Sequence, residues 1–309
     1  MDKVSIIIPT YKRVESFTKA LSSVVNQSYT NLEIIVVNDD AQEQSVIEVV
    51  NNFNDSRILY SNNKRKKGGN GARNTGVLTA KGRYITFLDD DDEFEKNRIK
   101  ECLLFIKKTN LAGISTGFTY KVNNKYVNIP HKTVDFTLNS YLLDRLNLGY
   151  GSNLFINTDF VSDEDLLWDE DLERHQDVEY IIRLLAKYDL GYLSKHLVLI
   201  NGHNGTPCAE QVEKAKILLF QKIEKFLFQI DDSIKSFYFA IQYRELALLY
   251  CREKKYEKMW EFVGKSIKSK ILSPQKYLRF ISLMIRNIFK LNLENLWHKI
   301  NHQPFKQNK

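Results

Sequence analysis

The sequence predicts an α/β protein with a mainly parallel, doubly wound sheet flanked by helices, and a helical extension towards the carboxyl end. Three observations lead to this fold class. Short apolar, β-branched runs alternate with helical patterns over residues 4–88, as in parallel strands joined by helices. Two clusters of acidic residues come directly after apolar runs. From residue 210 onward nearly every segment has a helical pattern.

The elements of the sheet can be assigned in chain order. Strands are expected at residues 4–8, 32–37, 57–60 and 84–88. The helices between them are expected at 17–26 with Ser16 as N-cap, near 44–52, and at 72–80 after a glycine-rich loop at 62–71. Strands are expected again within 113–128, a mixture of helices and loops over 138–205, and a helix at 177–187.

Composition excludes several classes of protein. Apolar residues make up 43% of the chain and charged residues 27%, which is ordinary for a folded globular protein and excludes a disordered one. No apolar run approaches the roughly 18 residues that span a bilayer, and the amino-terminal run is predicted to be a strand rather than a signal peptide. The three cysteines form neither a CxxC motif nor an even set, so we expect reduced thiols in the cytoplasm.

The positive charge is concentrated near the carboxyl end. Residues 254–309 contain 13 Lys or Arg and 3 Glu, a balance of +10, so the preceding residues sum to −3 within the net charge of +7. We therefore expect two regions, 1–207 and a basic helical region at 208–309. A helix over 276–291 would place four basic residues on a narrow arc, Lys276, Arg279, Arg286 and Lys290. This helix either contacts an anionic membrane surface or packs on its own domain.

The acidic clusters are the first indication of function. Asn38-Asp39-Asp40 and Asp89-Asp90-Asp91-Asp92 each follow a predicted buried strand. Ligands of open α/β sheets bind at the carboxyl ends of strands. An acidic cluster there is either a solvated turn or a site for a hard metal ion, and its place after the apolar run YITFL favours the metal.

Four segments in this order resemble a known family: VSIIIPTYKR, LEIIVVNDD, GARNTGVLTAKGRYITFLDDDD and LERHQDVEYIIRL. They resemble the family 2 inverting glycosyltransferases of GT-A fold, over roughly residues 1–205. The resemblance implies a hexosyltransferase that moves a sugar from a nucleotide sugar, such as a UDP-sugar, to a glycan or lipid-linked glycan. It also implies a role in bacterial surface-polysaccharide or glycolipid assembly, at the inner face of the plasma membrane if the basic tail binds lipid.

The resemblance assigns roles to individual residues. It implies that the nucleotide and the donor sugar are bound by Pro9, Thr10, Tyr11, Asp39, Arg73, Asp89 and Asp90. The DXD-type motif at Asp89–Asp91 would hold Mn²⁺ or Mg²⁺ through Asp91, with Asp89 and His203 as further candidates. Asp177 falls where the family has its catalytic base, and the GYGSN loop at 149–153 resembles the acceptor side.

The chain departs from the family pattern at three positions. Asn38 replaces a carboxylate, which puts the recognition of the base in doubt. Gln176 replaces the glutamate of a Glu-Asp pair, while Asp177 is retained. Asp92 makes a fourth consecutive aspartate, so the metal ligand is uncertain by one position.

The chemistry of the residues agrees with these roles. A divalent cation can neutralise a diphosphate leaving group, and a carboxylate can take the proton of an acceptor hydroxyl. Each candidate has a structural alternative: Asp177 can cap a helix, the loop at 62–71 can be a solvated loop rather than a diphosphate site, and His203 can lie in a surface turn.

Three other function classes explain the residues less well. A sugar nucleotidyltransferase would have a glycine-rich phosphate loop after the first strand, and PTYKR is not one. A GxGxxG motif for a dinucleotide is also missing. A polyanion-binding protein that uses the basic tail would leave the acidic clusters unexplained, and the sequence has no nucleic-acid-binding motif.

Overall fold

The computed structural model describes residues 2–122, 125–129, 135–146, 151–201, 207–270 and 280–285. The chain forms two compact units. The first comprises residues 1–206 and 215–230, and the second comprises residues 207–214 and 231–309. The division that the sequence suggested at residue 207 stays a prediction.

The first unit is built on one nine-stranded sheet, in the order β3-β2-β1-β4-β8-β6-β9-β5, with β7 paired to β6. The strands are β1 Val4–Thr10, β2 Leu32–Asn38, β3 Ile58–Asn62, β4 Tyr84–Phe87, β5 Glu93–Phe94, β6 Gly113–Val122, β7 Lys125–Asn128, β8 Leu154–Asn157 and β9 Leu190–Asn201.

The first half of the sheet is parallel, as predicted. β1 pairs in parallel with β2 and β4, and β2 pairs in parallel with β3. The second half is mixed, because β8 runs antiparallel to both β4 and β6, whereas β6 and β9 are parallel. The expectation of only helices and loops over 138–205 was wrong. β8 and β9 lie there because long-range pairing decides strand formation, and a local pattern cannot show it.

Helices cover both faces of the sheet. They are α1 Val14–Val25, α2 Ser45–Phe53, α3 Gly69–Thr79, α4 Arg98–Thr109, α5 Leu138–Leu142, α6 Asp163–Leu166 and α7 Gln176–Lys187. Three further helices follow along the chain, α8 Ala209–Ile223, α9 Asp232–Arg252 and α10 Tyr256–Ser269. Successive residues of a strand face opposite sides, so Ile6 and Ile8 pack in the core under α1 and α4, whereas Ile7 packs with α3 and α7.

Two helix starts differ from the prediction. α1 begins at Val14, and Ser16 is not the N-cap: its hydroxyl donates to the Arg13 carbonyl from inside the first turn. α3 begins at Gly69, three residues before the predicted start. Glycine allows this, because a Cβ at Gly71 would lie 1.8 Å from the Lys66 carbonyl oxygen. Glycine is often found where two backbone segments approach this closely. The glycines in the first turn of α3 are therefore why the sequence pattern there predicts a loop.

The second unit is helical in its described part. Its core contains Leu246, Tyr250 and Cys251 of α9 together with Met259 and Phe262 of α10. Of the helix predicted at 276–291 only residues 280–285 are described, and there Phe280 and Met284 are buried in the same core. The basic residues predicted for its polar arc lie outside the described residues. Within the described part of the chain, no helix has the length and apolarity to cross a bilayer.

Candidate active site

The register of the parallel strands gathers the predicted residues at one edge. Thr10 at the end of β1 lies opposite Asn38 at the end of β2, and Ile7 lies opposite Phe87 of β4. The backbone N–H of Asp39 donates to the Thr10 carbonyl at 2.9 Å, which continues the ladder past the strands. The PTYKR segment, Asp39 and the four aspartates therefore start from neighbouring strand ends.

The four aspartates of the acidic turn, Asp89–Asp92, do not share one environment. Asp89 accepts a hydrogen bond from the Arg73 guanidinium. Asp90 and Asp91 both contact Nη1 of Arg13, at 3.1 Å and 2.6 Å. Because the two arginines come from different elements, the repulsion between the carboxylates is offset from two sides.

The last aspartate of the turn points into the protein. Asp92 accepts the Ser152 hydroxyl at 2.7 Å and the backbone N–H of Asn201 at 3.1 Å. Ser152 Oγ also accepts the backbone N–H of Asp89 at 3.1 Å, so one residue of the GYGSN loop ties the two ends of the turn together.

Burial changes the titration of this turn. It raises the pKa of Asp92 well above the ordinary aspartate value, and the nearby Asp89 raises it further. Burial also raises the pKa of Asp90, while the Arg13 charge acts in the opposite direction. Both shifts follow from the cost of holding a carboxylate away from water.

Arg73 is the best-fixed cation of the site. Its side chain is only 8% exposed, and its guanidinium carbon lies 4.8 Å from the centre of the Trp168 ring. Nη1 donates to Asn70 Oδ1 at 3.3 Å, while Nη2 donates to Asp89. A buried guanidinium stacked on an aromatic ring has little freedom to turn away from its carboxylate partner.

Two amides on α3 hold the segment that leads to α7. Asn74 Nδ2 donates to the Trp168 carbonyl at 2.9 Å, and its Oδ1 accepts the Trp168 N–H at 2.7 Å. Asn70 Nδ2 donates to the carbonyls of Asp169 at 2.7 Å and Leu172 at 2.8 Å. Since Asn70 and Asn74 are one helical turn apart, they bind one after the other to the segment 168–172.

Asp177 lies in the first turn of α7, which begins at Gln176. Its Oδ1 accepts the N–H of Val178 at 3.0 Å. Burial raises the pKa of Asp177, and Asp89 and Arg73 are close enough to shift it in opposite directions, upward and downward. Asp177, Asp89 and Arg73 therefore form one electrostatic cluster, and a carboxylate with a raised pKa suits proton transfer.

The neighbouring carboxylates near Asp177 are engaged elsewhere. Glu179 is buried and pairs with Arg183, with Nε 2.9 Å from Oε1. Asp171 pairs with Lys66 at 3.0 Å and with Lys222 at 3.1 Å. Both would have to break an ion pair to accept a proton from a ligand.

The predicted nucleotide side contains an exposed aromatic ring between cations. Tyr11 is 42% exposed, with the ammonium groups of Lys12 and Lys67 5.3 Å and 5.6 Å from its ring centre. Pro9 and Thr10 are buried residues of β1. The Asp39 carboxylate accepts the N–H of Gly68 at 2.9 Å and an amide proton of Asn63 at 2.6 Å. In this structure Asp39 therefore holds the lysine-rich loop in place.

Asn38 has a structural role that a carboxylate could not take. Its Nδ2 donates to the carbonyls of Asp40 at 2.8 Å and Glu43 at 3.2 Å, and it lies 3.1 Å from the Tyr60 hydroxyl. Carbonyl oxygens can only accept hydrogen bonds, and an ionised aspartate has no proton to donate to them. The departure from the family pattern is thus explained by the turn after β2.

The residues present fit a divalent cation that is shared with a ligand. Among the described residues, no group of three or more His, Cys, Asp and Glu side chains could hold a metal ion by itself. One or two carboxylates suffice for Mg²⁺ or Mn²⁺ when phosphates and water complete the shell. Asp91 suits this role because its ion pair is with the half-exposed Arg13, and such a pair is weak enough to be exchanged for another partner. Asp92 does not, because the protein already occupies both its oxygens.

Asp91 also faces a cleft of about 250 Å³. Among the described residues it is lined by Arg13, Ser16, Lys19, Asp91, Glu93, Lys121 and Asn201. His203, the further metal candidate, and residues 149–150 of the GYGSN loop lie outside the described residues.

Sequence reasoning missed several residues of this site. Arg13 comes soon after the end of β1, in the segment PTYKR. Its contact with the acidic turn, which follows the neighbouring strand β4, could therefore have been expected. The spacing of Asn70 and Asn74 on a helix was a second available signal. Ser152 belongs to the GYGSN loop that the resemblance had marked, but the contacts of Ser152 and Asn201 with the acidic turn gave no signal, because only the tertiary pairing of β6, β8 and β9 brings them there.

The sheet, its acidic turn at the carboxyl edge and the flanking helices define the GT-A fold of glycosyltransferases. The family model described as glycosyl transferase family 2 matches residues 5–169, more than half of the chain. The chain therefore belongs to this family, as the sequence motifs predicted.

Individual relatives agree with this family. The UDP-Glc:alpha-D-GlcNAc-diphosphoundecaprenol beta-1,3-glucosyltransferase WfgD of Escherichia coli is 36% identical over 124 residues, 40% of this chain. The match spans 49% of WfgD, so the chain covers about half of that relative.

Two solved structures share the fold at low sequence identity. TarS of S. aureus, in complex with UDP-GlcNAc, matches with a TM-score of 0.67 and 19% identity, over 96% of this chain and 92% of that chain. The mannosyltransferase PcManGT of Pyrobaculum calidifontis, with GDP-Man and Mn²⁺, matches with a TM-score of 0.60 and 16% identity, over 96% and 88%.

Proposed function

We propose that this protein transfers a sugar from a nucleotide-diphosphate sugar to a hydroxyl group of a glycan. The proposed donor is a UDP-sugar, and the configuration of the anomeric carbon is inverted in the transfer. The observation that carries the proposal is the cluster of Arg73, Asp89 and Asp177 beside the acidic turn. It combines a fixed cation for a diphosphate with a carboxylate that suits a general base.

On the donor side, the ring of Tyr11 would stack on the nucleotide beside Pro9 and Thr10. The ammonium groups near that ring supply positive charge where a phosphate would follow the nucleoside. Asp39 would accept a hydrogen bond from the base while it holds the loop at Gly68. The UDP-GlcNAc complex of TarS, a structural neighbour, supports a UDP-sugar.

The sugar and the diphosphate would lie between Arg73 and the acidic turn. Arg73 would bind phosphate oxygens, and Asp89 and Asp90 would accept hydrogen bonds from ribose and sugar hydroxyls. Asp91 would hold Mn²⁺ or Mg²⁺, which when bound neutralises charge on the leaving diphosphate. The Mn²⁺ in the PcManGT structure supports a metal in this fold.

Asp177 would take the proton of the acceptor hydroxyl. Its raised pKa makes it a stronger base than an ordinary aspartate, and the side-chain oxygen of the adjacent Gln176 is buried without a hydrogen-bond partner in the described structure. A polar ligand group next to Asp177 would satisfy that oxygen. With one base on the acceptor side, a single in-line displacement inverts the anomeric configuration.

The acceptor class is proposed from the relatives. The printed name of WfgD describes an enzyme that acts on a diphosphoundecaprenol-linked sugar. We extend this to a lipid-linked glycan acceptor here, with residues 1–207 as the transferase region. The basic region at 208–309 would bring the protein to the inner face of the plasma membrane, as a peripheral protein of polysaccharide assembly.

The test is a transfer assay with a panel of nucleotide sugars, Mn²⁺ and a lipid-linked acceptor. Asp177→Asn keeps the size of the side chain but cannot take the proton, so kcat should fall by roughly 10²–10⁴-fold with donor affinity nearly unchanged. Asp171→Asn is the matched control, because this exposed carboxylate pairs with lysines and should be dispensable. NMR of the product should show inversion; retained configuration would refute the mechanism.

A further inference from the structure

The basic loop at residues 62–71 is joined to an acidic segment that comes much later in the chain. Residues 64–67 are four consecutive Lys or Arg, and residues 169–171 are Asp, Glu and Asp. Arg65 forms an ion pair with Glu170 through its Nε, and Lys66 pairs with Asp171 at 3.0 Å. Since the acidic segment comes just before α7, these pairs connect the nucleotide side of the site to the segment that leads to Asp177.

The two ion pairs differ in burial. The side chains of Lys66 and Asp171 are 53% and 62% exposed, and such a pair contributes little to stability. Glu170 is only 18% exposed, and the oxygen that meets Arg65 also accepts the side-chain amide of Asn74 at 2.8 Å. Because Asn74 is buried on α3, Glu170 is held in place from the inside of the protein.

Glu170 is ionised at neutral pH. Burial raises the pKa of Glu170, but the hydrogen bonds that it accepts from Arg65 and Asn74 outweigh burial, so the pKa lies below the ordinary glutamate value. A hydrogen bond between two charged groups is stronger than one between neutral groups. Glu170 therefore holds Arg65 by its charge as well as by its position.

The same loop is also held at its other end. Asp39 accepts the N–H of Gly68 at 2.9 Å, and the ammonium of Lys67 lies 5.6 Å from the centre of the Tyr11 ring. In the proposed donor complex, Asp39 also accepts a hydrogen bond from the base, so it is shared between the loop and the ligand. Glu170 is then the charged anchor of the loop that the ligand does not touch.

We propose that Glu170 is a positioning residue for the donor: through Arg65 it fixes the loop so that Lys67 stays beside the nucleotide. The inference rests on the proposed function and adds to it a residue that acts from outside the nucleotide pocket. A loop without this anchor would have to be ordered each time a donor binds. The conformational entropy lost in that step would weaken binding.

The experiment is isothermal titration of the protein with UDP in the presence of Mn²⁺. Glu170→Gln keeps an oxygen for Asn74 but loses the charge that holds Arg65, so UDP should bind about tenfold more weakly, which corresponds to about 1.4 kcal/mol. Because the bond to Asn74 is kept, the segment before α7 should stay in place and kcat should be nearly unchanged. Asp171→Asn is the matched control, since it removes the exposed pair between the same two segments and should leave the affinity unchanged.

A double-mutant cycle tests whether Glu170 acts through Arg65. Arg65→Gln should weaken UDP binding as much as Glu170→Gln does, and the double variant should be no worse than either single variant, because all three lack the same contact. Hydrogen exchange of the ligand-free protein gives a readout that needs no ligand. The Gly68 amide should lose protection in Glu170→Gln but not in Asp171→Asn, while the amides of β1 keep theirs.

Three results would overturn the proposal. If Glu170→Gln bound UDP as tightly as the wild type, or more tightly, while Arg65→Gln bound it more weakly, Arg65 would be a direct phosphate ligand that Glu170 only restrains. If the losses of the two single variants added up in the double variant, the two residues would act separately. Wild-type protein that bound neither UDP nor GDP would refute the proposed function and this role with it, even if exchange showed that Glu170 anchors the loop.

Discussion

Asn74 links the donor side of the site to the segment that leads to Asp177, and replacing it tests that link. Asn74 is 1% exposed and makes both hydrogen bonds to the backbone of Trp168 described above. In Asn74→Ala one buried N–H and one buried carbonyl lose their partner. Each such group costs about 1–3 kcal/mol, so allowing for some rescue by water we expect a loss of about 2–4 kcal/mol in the free energy of unfolding.

Denaturant unfolding of Asn74→Ala measures this loss, and hydrogen exchange locates it. Exchange should speed up at the Trp168 amide and its neighbours, while the amides of β1 keep their wild-type protection. Because the segment precedes α7, Asp177 should also move, and kcat should fall by about tenfold or more.

Asn26→Ala is the control for this prediction, since in the described structure that exposed amide donates only to Ser22 of the preceding helix turn, at its carbonyl and its hydroxyl. It should change the free energy of unfolding by no more than about 0.5 kcal/mol. If Asn74→Ala matched this control in stability and in exchange at Trp168, the assigned role of the amide would be wrong.

Three further predictions concern the acidic turn and the base. Asp91→Asn should abolish transfer and metal-dependent donor binding without changing the melting temperature of the ligand-free protein; full wild-type activity in excess EDTA would contradict this. Arg13→Gln should tighten Mn²⁺ binding, measured by electron paramagnetic resonance, because Nη1 at 2.6 Å competes for Asp91; Lys12→Gln, whose lysine pairs with Asp40, should change it much less. Since burial raises the pKa of Asp177, kcat/KM should fall as pH drops through that raised value, with an acid limb above the usual aspartate pKa of about 3.9, and Asp177→Asn should lack the limb.

Most of the parallel half of the sheet could be predicted because β1, β2 and β4 are nearly continuous apolar runs. β1 and β2 are buried along their whole lengths, and such runs are read without knowledge of the partners. The acidic turn was placed correctly after β4 for the same reason. Boundaries were less accurate: β1 continues through Thr10, two residues beyond the predicted end. The apolar pattern of the sequence ends earlier than the strand where polar residues such as Thr10 take part in the backbone pairing of the sheet.

In the other half of the sheet, the strands predicted within 113–128 are confirmed by β6 and β7, but β8 and β9 were not visible in the sequence. These strands exist through their pairing with β4, β5 and β6, and their neighbours come from distant parts of the chain. The contacts of Ser152 and Asn201 with the acidic turn depend on that pairing. The individual roles of Asp39, Arg73, Asp89 and Asp177 stay predictions, although the structure brings the last three into one cluster.

The two arginines of the acidic turn differ in a way that decides which carboxylate a cation can reach. Arg73 is 8% exposed and stacked on Trp168, so its pair with Asp89 lies in a medium of low dielectric and is costly to break. Arg13 is 51% exposed, and an exposed ion pair typically contributes at most about 1 kcal/mol. The pair of Arg13 with Asp91 is therefore the easier one to break, so Asp91 is the carboxylate that would hold a divalent cation, while Asp89 would keep its pair with Arg73. Arg73 would then stay beside Asp177 whether or not Asp91 holds a cation, so the proposed base would keep its surroundings.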